Sequence, residues 1–399
     1  MPRFPASSST NRSLSAGVFS AVAERVRHYS GPAYRLHIGD TWREPLAAAM
    51  AESQRTADLP HLHTYSPVHG EPPLLDAIVR RIKKRTGRTL DRGAVQVTAG
   101  ATGALSVLCQ TLLDPGDEVL LPAPFWPLIR GIIASRGAVP VQVPLFDRLR
   151  SPGFDLERAL EQAITPRTVA IYVNSPHNPT GVILDASEAA VIARVARRHD
   201  LWVLCDEVYE ELWLGDAPHE PLWSRPDLFD RTIAVHSMSK GYGLAGARVG
   251  YLHGPPEVVG AVRAVHTYQV YGAARPMQLG AARALDEGDA WLAEARTLYR
   301  DAAQATARTL GVPTPAGGTF LFFDARPWLG GAADAEPLLL RCVDEGVLLT
   351  PGAASGDAYP TWVRVCFTSV PPDQLSEALA RLGGVLAAMA PAPTAGGAA

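Results

Sequence analysis

The 399-residue chain predicts an α/β fold: a large domain with a mostly parallel seven-stranded sheet between helices, and a smaller α+β domain after it. Three observations carry that prediction. Short apolar runs alternate with amphipathic stretches between residues 95 and 252, as expected where parallel strands are joined by helical crossovers. Polar and glycine-bearing motifs fall at the ends of those runs. After Glu257 the texture changes to a long helical region followed by three short strand-like runs.

Taken in order, strands are expected over 95–98, 118–121, 139–143, 169–173, 201–205, 232–235 and 248–252. The run Leu201-Trp202-Val203-Leu204-Cys205 is apolar at every position, so both of its faces must be covered. Helices are expected over 102–113 and 186–199, where apolar residues recur at helical spacing. Beyond these, 258–310 reads as helical, and 319–323, 347–350 and 362–367 as strands of the smaller domain. The division that follows is a flexible N-terminus 1–13 rich in Ser and Pro, an arm 14–45 joining the small domain, and a large domain 46–285. A small domain 286–389 and a disordered tail 390–399 complete it.

The formal net charge of −3 gives no reason to expect nucleic-acid binding or a basic membrane patch. No apolar run approaches the ~20 residues of a membrane span. The first ten residues hold no apolar core, so no secretory signal is expected. Cys109, Cys205, Cys342 and Cys366 lie far apart in apolar segments and read as buried free thiols of a reducing compartment. A cytoplasmic protein is expected.

Lysine usage is the sharpest chemical signal. Of 37 basic residues only three are lysine: the adjacent pair Lys83-Lys84, and Lys240 in Ser237-Met238-Ser239-Lys240-Gly241-Tyr242-Gly243. Arginine stays protonated and cannot serve as an amine nucleophile. A lysine retained at a strand end among glycines and hydroxyls therefore points to amine chemistry, such as a Schiff base with a carbonyl cofactor. The plain alternative is a surface lysine in a turn.

Three further motifs fall on strand ends, where ligands bind in open parallel sheets. Thr98-Ala99-Gly100-Ala101-Thr102-Gly103 opens a helix, and its backbone N–H groups and the Thr102 hydroxyl suit a phosphate. Packing alone also accounts for glycine at such a turn. Asn174-Ser175-Pro176-His177-Asn178-Pro179-Thr180-Gly181 is a rigid turn that can fix the Asn178 amide, or a structural Asx turn. Asp206 ends the apolar run 201–205, where a buried carboxylate is costly without a cation, and Tyr209 can present its phenol to the same ligand. In the lysine segment itself, Arg248 suits a phosphate clamp and Ser237 a further donor.

Two decoys are set aside. Gly241, Gly243 and Gly246 match the dinucleotide fingerprint, but a strand rather than a helix follows Gly246, so no nicotinamide site is expected. His61, His63 and His69 cluster without an acid or cysteine nearby, and no metal is expected. Trp42 and Arg43 read either as a wall for the substrate side chain or as an ordinary rim. Trp202, Trp213 and Trp291 read as packing.

The motif series N-P-T-G, D-x-x-Y and S-x-S-K, with Arg248 eight residues after the lysine, resembles the class I/II aminotransferase family of fold-type-I pyridoxal-phosphate enzymes. The resemblance spans roughly Tyr34 to Leu386. It implies pyridoxal 5′-phosphate as cofactor, with Lys240 as the Schiff-base lysine and Asp206 as partner of the pyridinium nitrogen. It also implies that Asn178 and Tyr209 bond the cofactor's 3′-oxygen, that Ala101, Thr102, Ser237 and Arg248 hold its phosphate, and that Trp126 stacks on its ring. Arg364, Asn178, Trp126 and the Gly39 backbone would meet the substrate, with Arg364 on the α-carboxylate. Tyr65 would reach the phosphate of a neighbouring subunit, implying a homodimer with shared active sites.

The implied activity moves an amino group from an L-amino acid to a 2-oxo acid by a ping-pong mechanism. The same scaffold also supports a C–S β-lyase, a cyclase like ACC synthase or another biosynthetic reaction, and, outside catalysis, a cofactor-binding sensor. Two departures from the family pattern are Arg275, where a small or hydroxyl residue is common, and the stretch Asp40-Thr41-Trp42-Arg43-Glu44-Pro45.

Overall fold

The structure is a computed structural model that describes residues 8–11, 14, 20–55 and 58–391. Apart from 8–11 and 390–391, the termini expected to be flexible or disordered (1–13 and 390–399) lie outside the described residues. The apolar runs form β1 (Val95–Thr98), β2 (Glu118–Ala123), β3 (Val139–Pro144), β4 (Thr168–Asn174), β5 (Trp202–Asp206), β6 (Thr232–Ser237) and β7 (Gly250–His253). They pair in the order β1-β7-β6-β5-β4-β2-β3. Pairs from β3 through β6 are parallel, and β7 runs antiparallel to both β1 and β6.

The reversed strand has a local cause. Only a short loop containing Lys240 and a 3₁₀ turn, Ala245–Ala247, joins β6 to β7, and no crossover helix intervenes. Arg248, expected inside the last strand, instead adopts left-handed backbone angles (φ 52°, ψ 44°), so pairing begins at Gly250. A Cβ at Gly250 would come within 2.7 Å of the Gly100–Ala101 backbone, so glycine is what lets β7 enter beside the first turn of the helix Gly100–Leu112, which follows β1.

Strand alternation sorts side chains onto two faces. Val119, Leu121, Tyr172 and Leu204 pack beneath the helices Gly100–Leu112, Pro127–Ala134 and Pro256–Gln269. Leu120, Ile171, Val203 and Cys205 pack against Leu156–Glu161 and Ala186–Arg198. Each such apolar side chain contributes ~1.5–3 kcal/mol on burial, which fixes register as well as stability. The helix Ala186–Arg198 starts on a capping box, with Asp185 accepting from the Ser187 and Glu188 N–H groups and Glu188 answering to the Asp185 N–H.

The helical region expected over 258–310 divides into Pro256–Gln269, Arg275–Glu287 and Asp289–Leu310. A second sheet follows, made of β8 (Phe320–Asp324), β9 (Thr350–Pro351) and β10 (Trp362–Cys366), in the antiparallel order β8-β10-β9. The strand expected over 347–350 shortens because Val347 bridges in parallel to Tyr34 instead. The Tyr34 N–H donates to the Gly346 carbonyl (2.7 Å) and the Cys366 N–H to the Leu36 carbonyl (2.7 Å). These bonds lay residues 34–39 along the second sheet and bring Gly39 beside Arg364. No described helix is long and apolar enough to cross a membrane.

Candidate active site

The carboxyl ends of β4, β5 and β6 meet the first turn of Gly100–Leu112 and the edge of the second sheet around a cavity of about 200 Å³. Gly39, Ala101, Thr102, Trp126, Asn178, Asp206, Tyr209, Ser237, Lys240, Arg248 and Arg364 all line it. Of the residues that the family resemblance assigns to cofactor or substrate, Tyr65 alone does not. It is 83% exposed, and its ring lies tilted at 49° against Tyr271 with centroids 4.8 Å apart.

Lys240 follows β6 and donates through Nζ to the Gly39 carbonyl. Burial lowers the pKa of its amine, against the pull of Asp40. Asp206 ends β5 and is 4% exposed. Its Oδ2 accepts from the Tyr172 hydroxyl (2.6 Å) and its Oδ1 from the Val208 N–H (3.2 Å). No Lys, Arg or His among the described residues forms an ion pair with it. Burial pushes its carboxyl up to about 6, opposed by those two donors.

Asn178 and Tyr209 form one side of the cavity, with Asn178 Nδ2 3.3 Å from the Tyr209 hydroxyl. Asn174 fixes this side: its Oδ1 accepts the Asn178 N–H (2.7 Å) and its Nδ2 donates to the Asp206 carbonyl (2.8 Å). At one end, the first turn of Gly100–Leu112 offers Ala101 and Thr102. Here Arg248 lies so close that a Cβ on Gly100 would sit 2.5 Å from Nη2. Arg248 Nη1 donates to the Ala245 carbonyl (2.9 Å), and Ser237 Oγ accepts the Ser239 N–H (3.0 Å). A helix N-terminus, hydroxyls and a guanidinium form a set suited to a phosphate.

At another part of the wall, Arg364 is 5% exposed. Its Nη1 donates to Asn178 Oδ1 (3.1 Å), and its Nη2 donates to the His37 carbonyl (3.1 Å) and Thr350 Oγ1 (3.2 Å). Its Cζ lies 4.3 Å from the centroid of the Phe320 ring. Its Nε is buried with no partner among the described residues, and burial lowers its pKa. Such a group suits a carboxylate that enters the cavity.

Trp42 and Arg43 lie outside the cavity, which removes them as its side-chain wall. Arg43 donates to the Trp291 carbonyl (2.9 Å), pairs with Glu294 and lies over the Trp291 ring. Trp42 lines a separate groove with Leu298, Phe367 and Leu375. Arg275 is held within its own chain by Glu71 (2.7 Å), the His61 carbonyl (2.8 Å) and Thr64 Oγ1 (2.8 Å). Trp213 is flanked by the guanidinium groups of Arg296 and Arg85.

Sequence reasoning passed over Tyr172, Asn174, Ser239, Phe320 and Thr350. Asn174 and Ser239 stood inside quoted motifs without being given a role. Tyr172 looked like one more aromatic in a strand, and Thr350 meets Arg364 only through the pairing of β9 with β10.

A family model described as aminotransferase class I and II matches residues 34–382. A probable N-succinyldiaminopimelate aminotransferase from Mycobacterium tuberculosis is 36% identical over 350 residues, covering 84% of this chain and 87% of that protein. An arginine–pyruvate transaminase from Pseudomonas aeruginosa is 34% identical over 310 residues, covering 75% and 77% respectively. Among solved structures, N-succinyldiaminopimelate aminotransferase from M. tuberculosis superimposes with a TM-score of 0.86 at 34% identity, covering 95% of this chain and all of that one. A Thermus thermophilus aspartate aminotransferase variant gives 0.86 at 26% identity, covering 95% and 99%. These relatives are named as aminotransferases, which supports transamination over the lyase, cyclase and sensor alternatives. The chain is an aminotransferase and belongs to the class I and II aminotransferase family.

Proposed function

We propose that this aminotransferase uses pyridoxal 5′-phosphate, anchored by Lys240, to move an amino group from an L-amino acid to a 2-oxo acid in a ping-pong cycle. One observation carries the reading: a half-buried lysine shares a cavity with a buried carboxylate that has no cationic partner among the described residues. The chemistry of the lining fits that cofactor group by group. Asp206 would receive the protonated ring nitrogen as its missing counter-charge. Asn178 Nδ2 and the Tyr209 hydroxyl are donors for the ring oxygen, and Trp126 offers a face for stacking. Thr102, Ser237, Arg248 and the backbone at Ala101 would hold the phosphate.

When bound, the cofactor supplies a carbonyl for the amino group and a ring that accepts the electron pair left by the departing α-proton. The chain does the rest. Burial lowers the Lys240 pKa and so favours the neutral amine, the form in which Nζ can act as nucleophile and, once released, carry a proton away from the substrate Cα. Arg364 would bind the α-carboxylate through its fork, already oriented by Thr350, Asn178 and the His37 carbonyl, with the Gly39 backbone alongside. The Asn178–Arg364 contact links the cofactor side of the cavity to the substrate side.

A homodimer with shared active sites is part of the proposal, supported by the exposed Tyr65–Tyr271 pair outside the chain's own cavity. Four buried cysteines without disulfides support a cytoplasmic setting. The test is a half-reaction. Protein loaded with pyridoxal 5′-phosphate and given an L-amino acid, without acceptor, should release one equivalent of 2-oxo acid per subunit. It should then stop until a second oxo acid is added. Continuous release of pyruvate and ammonia from a cysteine conjugate would instead indicate elimination.

A further inference from the structure

Asp206 is the group on which the cofactor reading leans most heavily, and its surroundings are sparse. Its backbone is tied down by Asn174, but its carboxylate has one side-chain donor among the described residues, the Tyr172 hydroxyl at 2.6 Å. Tyr172 lies within β4, paired with Leu204 of β5, while Asn174 pairs with Asp206. Strand alternation therefore puts the phenol on the same face as the carboxylate, one side-chain step farther from the strand ends. At 2% exposure, and packed in the layer beneath Gly100–Leu112, the ring has no room to leave.

The chemistry of the contact is one-directional. Burial pushes the Tyr172 phenol well above its ordinary range, so it stays protonated and can only donate to an ionised partner. A fixed neutral donor rewards the charged carboxylate over the neutral acid. It does so without bringing a cation that would compete with a ligand for Asp206. A histidine or arginine here would satisfy Asp206 outright and weaken its need for a cationic ring nitrogen.

Resting on the proposed pairing of Asp206 with the cofactor's ring nitrogen, we propose that Tyr172 is a positioning residue. Its hydroxyl aims the Asp206 carboxylate into the cavity and keeps it ionised, and so sets the pH range over which the cofactor is held in its electron-accepting form. Tyr172 touches neither cofactor nor substrate in this role and acts only through Asp206.

The test is a double-mutant cycle of Tyr172→Phe and Asp206→Asn, which preserves the ring and the carboxylate's shape. Pyridoxal 5′-phosphate affinity is read from quenching of protein fluorescence, and the cofactor's visible absorption is followed from pH 5 to 9. Tyr172→Phe should weaken cofactor binding about 10-fold at pH 7 and move the acid limb of the binding profile upward by about one pH unit. It should lower kcat with KM for the oxo acid nearly unchanged. In the Asp206→Asn background the same change should have no further effect on affinity or on the pH profile.

Two failures are distinguishable. If Asp206→Asn leaves affinity and absorption unchanged, the pairing with the ring nitrogen is wrong. If Asp206→Asn has its effect but Tyr172→Phe shifts nothing, the role of Tyr172 falls alone. The same holds if Tyr172→Phe acts equally in both backgrounds, because the ring would then be mere packing.

Discussion

The six residues from Asp206 to Glu211 carry four buried carboxylates, and they serve two different regions. Glu207, Glu210 and Glu211 point away from the cavity and find partners inside the chain. Glu207 meets His219 at 2.7 Å and Glu210 meets His236 at 2.7 Å. Glu211 receives Arg81 through two bonds of 2.9 and 2.7 Å, with Arg85 at 3.3 Å. Asp206 faces the cavity and, among the described residues, receives only a phenol and a backbone N–H. Against the same burial, His236 and Arg85 hold Glu210 below its usual range, whereas Asp206 rises to about 6. Charges balanced within the chain build architecture, and the one left unbalanced is available to a ligand.

The largest expected effect separates the two regions most cleanly. Lys240→Ala should lower oxo-acid-dependent amino transfer by about 10,000-fold or more, because it removes both the nucleophile and the proton carrier. Its urea midpoint should match wild type, since the Glu211 side is untouched. A variant that loses stability together with activity would blur the contrast.

Next in size, Arg81→Ala strikes the structural side. It strips Glu211 of its two-bond partner and should cost about 3 kcal/mol in urea unfolding, as breaking a buried pair leaves a charge uncompensated. Activity per folded molecule should hold.

Asp206→Asn should do the opposite. The folded carboxyl pKa of about 6 lies above the ordinary 3.8, so below the lower value both states are protonated and nothing is lost. As pH rises from 3.8 to 6 the unfolded chain ionises first and the cofactor-free wild type loses stability, by roughly 2–3 kcal/mol in full. Asparagine escapes that loss. It should therefore be more stable than wild type by about 1–2 kcal/mol at pH 7.5, after losing one donor contact, with the gain vanishing by pH 4. Glu210→Gln should reverse the sign, because a depressed pKa stabilises above the unfolded value and that benefit fades as pH falls. Cofactor-free urea melts at both pH values check the pair.

The smallest effect concerns Arg43. With its guanidinium held by Trp291 and Glu294, Arg43→Ala should leave KM and substrate range unchanged and cost no more than about 1 kcal/mol of stability. A changed substrate range would return Arg43 to the cavity wall.

Much of this arrangement was legible in the sequence, for identifiable reasons. The strand cores announced themselves by continuous apolar runs, and site chemistry sat at their ends because that is where parallel sheets open. Lys240 stood out because arginine fills almost every other cationic position. What stayed hidden depends on contacts between distant segments. Arg43 meets Glu294 across 251 residues, and Thr350 reaches Arg364 only after the second sheet pairs. Tyr172 was masked by its own suitability for a strand, since an aromatic there needs no further reason. The late start of β7, at Gly250, follows from a left-handed Arg248, a conformation that no pattern of apolar residues reports.

The decisive measurement is chemical. Protein incubated with pyridoxal 5′-phosphate, reduced with borohydride, digested and analysed by mass spectrometry should carry a pyridoxyl mass on the peptide containing Lys240. The peptides of Lys83 and Lys84 should be unmodified. A label confined to that pair, or none at all, would contradict the role assigned to Lys240 and with it the reading of the cavity.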